Sequence, residues 1–510
     1  CLVGSEMCIR DSGCSGHGQL PESVVETRIV RQAGTTPKDF SERAPVATIS
    51  PLHVQPVSAP VTETMDNHRC PIPHSSSAGV VTVRTMFASL SIPNYRIYFS
   101  GTLLTNMGQW MARTAQSWLV LVILTHGNAA VLGWVMAVNF APILLVTPWA
   151  GALADRMSKR RIMVTAQIVL AIDAAILSTL VLTGAVRLWM VFVIAAMDGL
   201  AGAFYSPATQ AFVSELVPLK NLPNAVSLNS ASFNGARLLG PGVGGLLIAA
   251  VGVGWVMAIN VLCFIGFITT LLFIRADRLY VSPPSAEKAR VRDGVRYVKR
   301  RPDLVILLAI GFMMGTFGFN FNISDAVMAT QAFGKGSGEY GLLGSLMGIG
   351  SMVAALGAAR RRPRLRWVEL ALLVYSVSMG LSALAPNYGI FAVLKMFVGW
   401  GAISTLITAN AMVQTSVTPH MRGRVMSLWA TLVMGGTPLV SPVVGWIGNA
   451  IGPRATVAWG AISLGITFVV ITAVIMHNDR IRVVFDPSKR APWLRQVRGK
   501  VTIDYVQQTK

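Results

Sequence analysis

Four charged side chains stand where a charge is hardest to keep. Arg113, Asp173, Asp198 and Arg237 each fall well inside a long, otherwise apolar run of the chain. An ion removed from water in such a setting is expensive and is a functional candidate by default. Two acids and two bases invite neutralising pairs. An acid whose basic partner changes can take up and release a proton, because desolvation favours the neutral carboxyl and an adjacent guanidinium favours the carboxylate. Asp173 and Asp198 are therefore the candidate proton carriers and Arg113 and Arg237 their partners; fixed structural pairs are the alternative. Asp325, near the end of its run, and Lys395, whose long stem can snorkel outward, rank lower.

The runs that hold these groups have the length of membrane spans. The 510 residues are 53% hydrophobic and only 13% charged, with a mean hydropathy of +0.56, so the lipid bilayer is the expected solvent. A helix needs about 20 mainly apolar residues to cross the hydrocarbon core. Twelve stretches qualify: 97–124, 129–150, 162–183, 188–214, 225–250, 254–275, 303–327, 338–359, 367–385, 389–412, 425–450 and 454–476. The expected fold class is an all-α membrane protein.

A formal charge of +21 raises the question of nucleic acid, and the placement of the charge answers it. Loops after spans 2, 4, 6, 8 and 10 hold 21 Lys and Arg, whereas the alternate loops hold only Arg187, Lys335 and Arg454. That asymmetry is the positive-inside pattern, which puts the basic loops and both termini in the cytoplasm and argues against nucleic acid as a partner. The cluster in "GALADRMSKRR" (151–161) is then a cytoplasmic hairpin that helps fix topology.

Other chemistries find little support. Cys1, Cys8, Cys14 and Cys70 lie in the N-terminal segment and Cys263 within a span, giving neither a disulfide framework nor metal-ligand spacing. No G-x-x-x-x-G-K-[ST] loop is present, so ATP-driven pumping by this chain is not expected. His126, His420 and His477 sit near span ends without nucleophile or metal partners, and neither an enzyme nor a cofactor is expected. Residues 1–85 are polar and rich in Pro, Ser, Thr and Val, and read as disordered. Within them "LVGSEMCIRDS" (2–12) reads as the translation of a transposase-type sequencing adapter, so the first dozen residues are set aside, with Met65 or Met86 as the expected natural start.

The chain divides into an N-terminal bundle (86–275), a basic linker (276–302), a C-terminal bundle (303–476) and a tail (477–510). In the linker, Val291, Val295 and Val298 recur at helical spacing among Arg and Lys, which suits a short amphipathic helix on an anionic leaflet. The two bundles echo each other. "AVSLNSASFNGARLLGPGVGG" (225–245) and "VMSLWATLVMGGTPLVSPVVGW" (425–446) both begin with a Ser-Leu pair near their head, carry Pro241 or Pro442 near mid-span, and place Gly244 or Gly445 three residues later. Parallel six-helix repeats about an axis normal to the membrane would give such an echo.

"GALADRMSKRR" between spans 2 and 3 resembles the hallmark loop of the major facilitator superfamily, G-x-L-x-D-R-x-G-[RK]-[RK], through Gly151, Leu153, Asp155, Arg156, Lys159 and Arg160; Ser158 stands where the family usually has Gly. "WMARTAQSWLVLVILT" (110–125), "DGVRYVKRRPDL" (293–304) and "RGRVMSL" (422–428) are similar to the enterobactin-exporter-like and macrolide-efflux-like branch. The resemblance covers roughly 86–476 and implies two pseudo-symmetric six-helix bundles that rock about a midplane site. It implies that the hallmark loop biases one access state. A carboxylate such as Asp155 near a helix N-terminus would gain about 0.3–1 kcal/mol from the macrodipole.

"GARLLGPGVGG" holds G-P-x-x-G-G, with Gly240, Pro241, Gly244 and Gly245, and resembles the motif of facilitator antiporters. Ordinary close helix packing explains the same glycines. In the family, spans 1, 4, 7 and 10 line the cavity, which makes Gln109, Gln116, Asp198, Tyr205, Phe317, Asn320, Asn322 and Trp400 candidate substrate contacts. This branch often has P-A-R-Q at the end of span 4, where this chain reads "SPATQ" (206–210), with Thr209 in place of the Arg. The function implied is a secondary active exporter, proton-coupled, moving drugs, siderophores or other amphipathic small molecules across the bacterial plasma membrane, with a monomer as the family default. Uptake symport or uniport, and a non-transporting scaffold or sensor, are the alternatives.

Overall fold

The computed structural model describes residues 87–280 and 291–477, together with the backbone of 483–484 and 495–496. Residues 1–86, including the N-terminal segment expected to be disordered, the linker's 281–290 stretch and the remainder of the tail after 477 lie outside the described residues, as do the side chains of 148, 151–156, 291, 292, 359 and 419.

In a bilayer every backbone N–H and C=O must find its partner within the protein, which leaves a helix as the default spanning form for apolar segments. Among the described residues, eleven helices are long and apolar enough to cross. The remaining one, Pro93–Trp118, continues through π-helical turns to Leu124 and is more polar; its Arg113, Gln109 and Gln116 account for that. It is span 1, and it packs on the fifth and sixth helices as a full member of its bundle. The others are span 2 (Ala129–Arg156), span 3 (Lys159–Leu182), span 4 (Leu188–Leu216), span 5 (Leu222–Val251), span 6 (Val253–Phe273), span 7 (Pro302–Ala332), span 8 (Ser337–Ala359), span 9 (Leu365–Ala383), span 10 (Tyr388–Ser416), span 11 (His420–Ala450) and span 12 (Pro453–His477). Proline opens spans 1, 7 and 12, where its missing N–H costs nothing. Asn387 caps span 10 by accepting from the Ile390 amide at 3.0 Å. Gly252 alone separates spans 5 and 6, at φ 86°, a conformation in which a side chain would be strained.

The twofold echo holds at the level of packing. Span 1 packs on 5 and 6, span 2 on 4, and span 3 on 4 and 6; in the second half span 7 packs on 11 and 12, span 8 on 10, and span 9 on 10 and 12. The halves meet through two related crossings, span 5 on span 8 and span 11 on span 2. Both use a proline on one helix against a glycine on the other: Pro241 faces Gly344 and Pro442 faces Gly133, with no room for a side chain on either glycine.

Joining of the halves is one-sided. At the end away from the basic loops, Asn449 accepts from the Ala129 amide at 2.8 Å and donates to Asn128 at 2.6 Å, while Gln331 donates to the Gly127 carbonyl. Trp118 stacks on Tyr340 at the same end, and the Gly242 amide donates to Ser345 Oγ at 3.1 Å. Toward the basic end, Gly235 on span 5 and Gly357 on span 8 have open space where a side chain would go. Among the described residues, no side-chain hydrogen bond or ion pair joins the halves at the basic end.

The linker helix forms, as Val291–Lys299. Its Gly294 and Val298 are buried, and a Cβ on Gly294 would lie 3.3 Å from Arg424 Cβ at the base of span 11. Part of the face expected on lipid is therefore docked on protein. Beyond span 12, Val483–Val484 and Arg495–Gln496 make a two-residue antiparallel pair.

Candidate functional site

Span 7 is the most irregular of the helices. It runs Pro302–Met313, passes through π-helical turns at Met314–Gly318, breaks at Phe319 and Asn320, and resumes at Phe321. A broken helix is tolerated at membrane depth only where the freed carbonyls are met by protein. Here Thr437 of span 11 donates to the Gly315 carbonyl at 3.0 Å and Tyr375 of span 9 to the Gly318 carbonyl at 2.8 Å. Asn320 donates to the Thr316 carbonyl at 2.9 Å and accepts from Ser441 at 3.1 Å. Asn320, expected as a substrate contact, thus holds the break together and is only 5% exposed.

The break aims the following turn at the interface. A cavity of about 40 Å³ lies where the halves converge, walled by Trp110, Arg113 and Thr114 of span 1, Arg237 and Pro241 of span 5, Phe321, Asn322 and Asp325 of span 7, and Tyr340, Gly344 and Met347 of span 8. That volume holds roughly two or three waters. Arg113 and Arg237 both lie over the Trp110 ring, their guanidinium carbons 5.4 and 5.9 Å from its centroid. Residue spacing explains the first contact, since Trp110 and Arg113 are one helical turn apart; the second is tertiary.

Of the four leading charged candidates, Arg113, Asp198 and Asp173 are in electrostatic reach of one another in sequence of spans 1, 4 and 3. No ion pair within 4.0 Å joins any of the four among the described residues. Asp173 is 7% exposed, and its Oδ2 has no hydrogen-bond partner among the described residues. Arg237 keeps company with Trp110 and Tyr375 rather than with either acid.

The lower-ranked pair is the one the structure assembles. Lys395 does not snorkel: it is 3% exposed, and its Nζ lies 2.6 Å from Asp325 Oδ1, a bond joining spans 10 and 7. The same ammonium stands 4.8 Å from the Phe321 ring centroid and 5.6 Å from that of Phe391. Opposite charges in two otherwise apolar spans of one bundle were the available signal.

The remaining contact candidates disperse. Asn322 reaches the cavity. Tyr205 turns edge-on to Phe267 of span 6, and Phe317 edge-on to Trp459 of span 12. Gln116 is half-buried with its Nε2 lacking a partner among the described residues, Gln109 is half-buried, and Trp400 contributes backbone close to Gly350 of span 8. Sequence reasoning missed Trp110, Thr114, Phe321, Tyr340, Gly344 and Met347, which are apolar or weakly polar and carry no signal until helix rotation is known.

The glycines of the second motif pack closely. Gly240 faces Trp110 Cβ, and a Cβ on Gly244 would lie 3.0 Å from Met111 Cα and one on Gly245 2.9 Å from Gly341 Cα, so one helix approaches spans 1 and 8 at once. In the hallmark segment the backbone of span 2 stays helical to Arg156, and the side chains of Gly151, Leu153, Asp155 and Arg156 lie outside the described residues. Lys159 pairs with Glu215 at the end of span 4 at 2.7 Å, and Arg160 donates to the Leu272 carbonyl of span 6 at 2.9 Å. Glu215→Gln should weaken that partly buried tie by on the order of 1–2 kcal/mol, read as a lower midpoint of thermal unfolding in detergent, with Lys159→Met no worse when added to it.

Comparison with known proteins agrees with this architecture. The sequence model described as a transmembrane secretion effector matches residues 84–505. The chain belongs to the major facilitator superfamily. Its efflux branch is the one matched: the chain is 29% identical to the multidrug efflux pump Tap of Mycolicibacterium fortuitum, over 73% of this chain and 93% of that one. It is 24% identical to the staphyloferrin A transporter of Staphylococcus aureus, over 76% and 96%, and 22% identical to macrolide efflux protein A of Streptococcus pyogenes, over 61% and 79%. Among solved structures it is similar in fold to the nucleoside transporter NupG, with a TM-score of 0.59 at 13% identity over 74% of this chain and 99% of that one. A D-xylose-proton symporter matches with a TM-score of 0.57 at 13% identity, over 73% and 96%. This facilitator is a multi-pass membrane transporter and not an enzyme.

Proposed function

We propose that this facilitator is a proton-coupled exporter of amphipathic small molecules, drugs or siderophores among them, working by alternating access as a monomer in the bacterial plasma membrane with both termini cytoplasmic. The observation that carries this reading is the one-sided tie between the halves: side-chain hydrogen bonds join them at the end away from the basic loops, and Arg113, Arg237 and Asp325 line a cavity between them. By the positive-inside rule the tied end faces away from the cytoplasm, which leaves the cytoplasmic end as the side from which an exporter would load. The names of the relatives, efflux pumps and a siderophore transporter, support the same direction.

Asp198 is the proton carrier in this reading, with Arg113 facing it from span 1 and Asp173 as a second carboxylate at similar depth. Substrate meets the wall formed by spans 1, 5, 7 and 8, with Asn322 as a polar contact. The hallmark segment gates the cytoplasmic end, Lys159 and Arg160 clasping spans 4 and 6. Gly240, Pro241, Gly244 and Gly245 let span 5 pack closely on span 1 within its own half and on span 8 across the halves, the crossing that must open in the cycle.

Everted membrane vesicles carrying the chain test this directly. Addition of a transported compound should collapse an imposed proton gradient, and Asp198→Asn should abolish that collapse while leaving the protein folded. Gradient collapse that survives Asp198→Asn removes this residue from coupling, and accumulation of the compound inside intact cells would make the protein an uptake system.

A further inference from the structure

We infer that the apex of the cleft is an oxyanion site, and that the transported molecules carry a carboxylate beside an aromatic or otherwise apolar body. This rests on the reading of the chain as a transporter through that cleft. Two guanidinium groups flank one indole there, Arg113 from span 1 and Arg237 from span 5. Neither has a carboxylate within 4.0 Å among the described residues. Arg237 Nε is buried with no hydrogen-bond partner among them. Arg113 is exposed and Arg237 half-buried, so a ligand can reach both, and the rigid fork of donors on each matches a carboxylate.

The acids nearby leave that charge in surplus. Asp325 also lines the cavity, but Lys395 already neutralises it at 2.6 Å. Asp198 is in reach of Arg113 and is shared with the field of Asp173, whereas Arg237 has the Trp110 ring and Tyr375 as its neighbours. Trp110, Phe321 and Met347 supply apolar surface beside the two cations, and Asn322 a neutral donor and acceptor. A cationic amphiphile would meet two like charges at this point; an anionic one would supply the missing partner.

Three matched probes decide it: 2-naphthoate, its neutral methyl ester, and 2-naphthylmethylammonium, titrated into the purified full chain by calorimetry. Loss of one charge-assisted hydrogen bond corresponds to a roughly 10- to 100-fold drop in affinity. The carboxylate should therefore bind at least about tenfold more tightly than the ester and the ammonium, and Arg237→Gln or Arg113→Gln should each remove that preference. Arg237→Lys, which keeps the charge, should retain more of it than Arg237→Gln, a ranking that mere misfolding does not produce. An ammonium that binds as well as the carboxylate, carboxylate affinity unchanged in both Gln variants, or no carboxylate binding up to about 10 mM overturns the inference. Flux assays of the same probes separate the two readings. Arginine-dependent binding without transport leaves the oxyanion site standing and removes export; export of the ammonium, indifferent to both arginines, does the reverse.

Discussion

Lys395→Ala should be the most destabilising single substitution in the C-terminal bundle, by about 3–5 kcal/mol, because it leaves the Asp325 carboxylate 4% exposed with no counter-charge. The cost is that of a desolvated ion, so neutralising the other partner should recover most of it. The double variant Asp325→Asn/Lys395→Met should unfold, in detergent, at a temperature close to that of the parent, well above Lys395→Ala. Asp325→Asn alone should be intermediate, since it leaves an ammonium that still has the faces of Phe321 and Phe391 beside it. A double variant no more stable than Lys395→Ala would mean that packing, and not charge, is what the pair supplies. The pair joins spans 7 and 10 just after the break in span 7, so its loss should also loosen the turn that carries Asn322 into the cavity.

Gly341→Leu should block the cycle outright. A Cβ at this position would lie 2.9 Å from Gly245 Cα and closer still to the Pro241 carbonyl, all of it backbone that cannot step aside. Overpacking of this kind costs about 1–3 kcal/mol, and it does so only in the state where spans 5 and 8 touch. That penalty shifts the equilibrium toward halves parted at this end by roughly 5- to 150-fold. Spin labels placed on the loops near Gly127 and Lys335 should report a longer distance in the variant, and transport should fall to background. Gly357→Leu is the control: the same helix and the same substitution, yet with open space around it, so distances should stay as in the parent. Unchanged label distances in Gly341→Leu would show that the crossing has slack the geometry does not reveal.

Much of this protein is legible from residue order because its solvent imposes a local rule. A segment either is or is not apolar enough to leave water, so the spans, the basic asymmetry of their loops and the repeat of Pro241 at Pro442 can be read without knowing any contact. The polar first span was legible for the same reason, since its charges are few and spaced within a long apolar run.

Which charges meet was not legible, because hydropathy has no azimuth. Every helix was apolar on most faces, and only packing fixed the rotation that turned Tyr205 toward Phe267, Phe317 toward Trp459 and Arg237 toward Trp110. Lys395 and Asp325 lie 70 positions apart on different spans, and a lysine free to snorkel differs from a lysine in a buried pair only by what stands beside it. Asn320 looked like a contact for substrate and instead holds a helix break, since the carbonyls it helps to satisfy exist only once span 7 has opened against spans 9 and 11. The sequence determined which segments are apolar enough to enter the bilayer; tertiary packing alone decided which side chains would share a cavity there, because that choice depends on rotations that no run of apolar residues encodes.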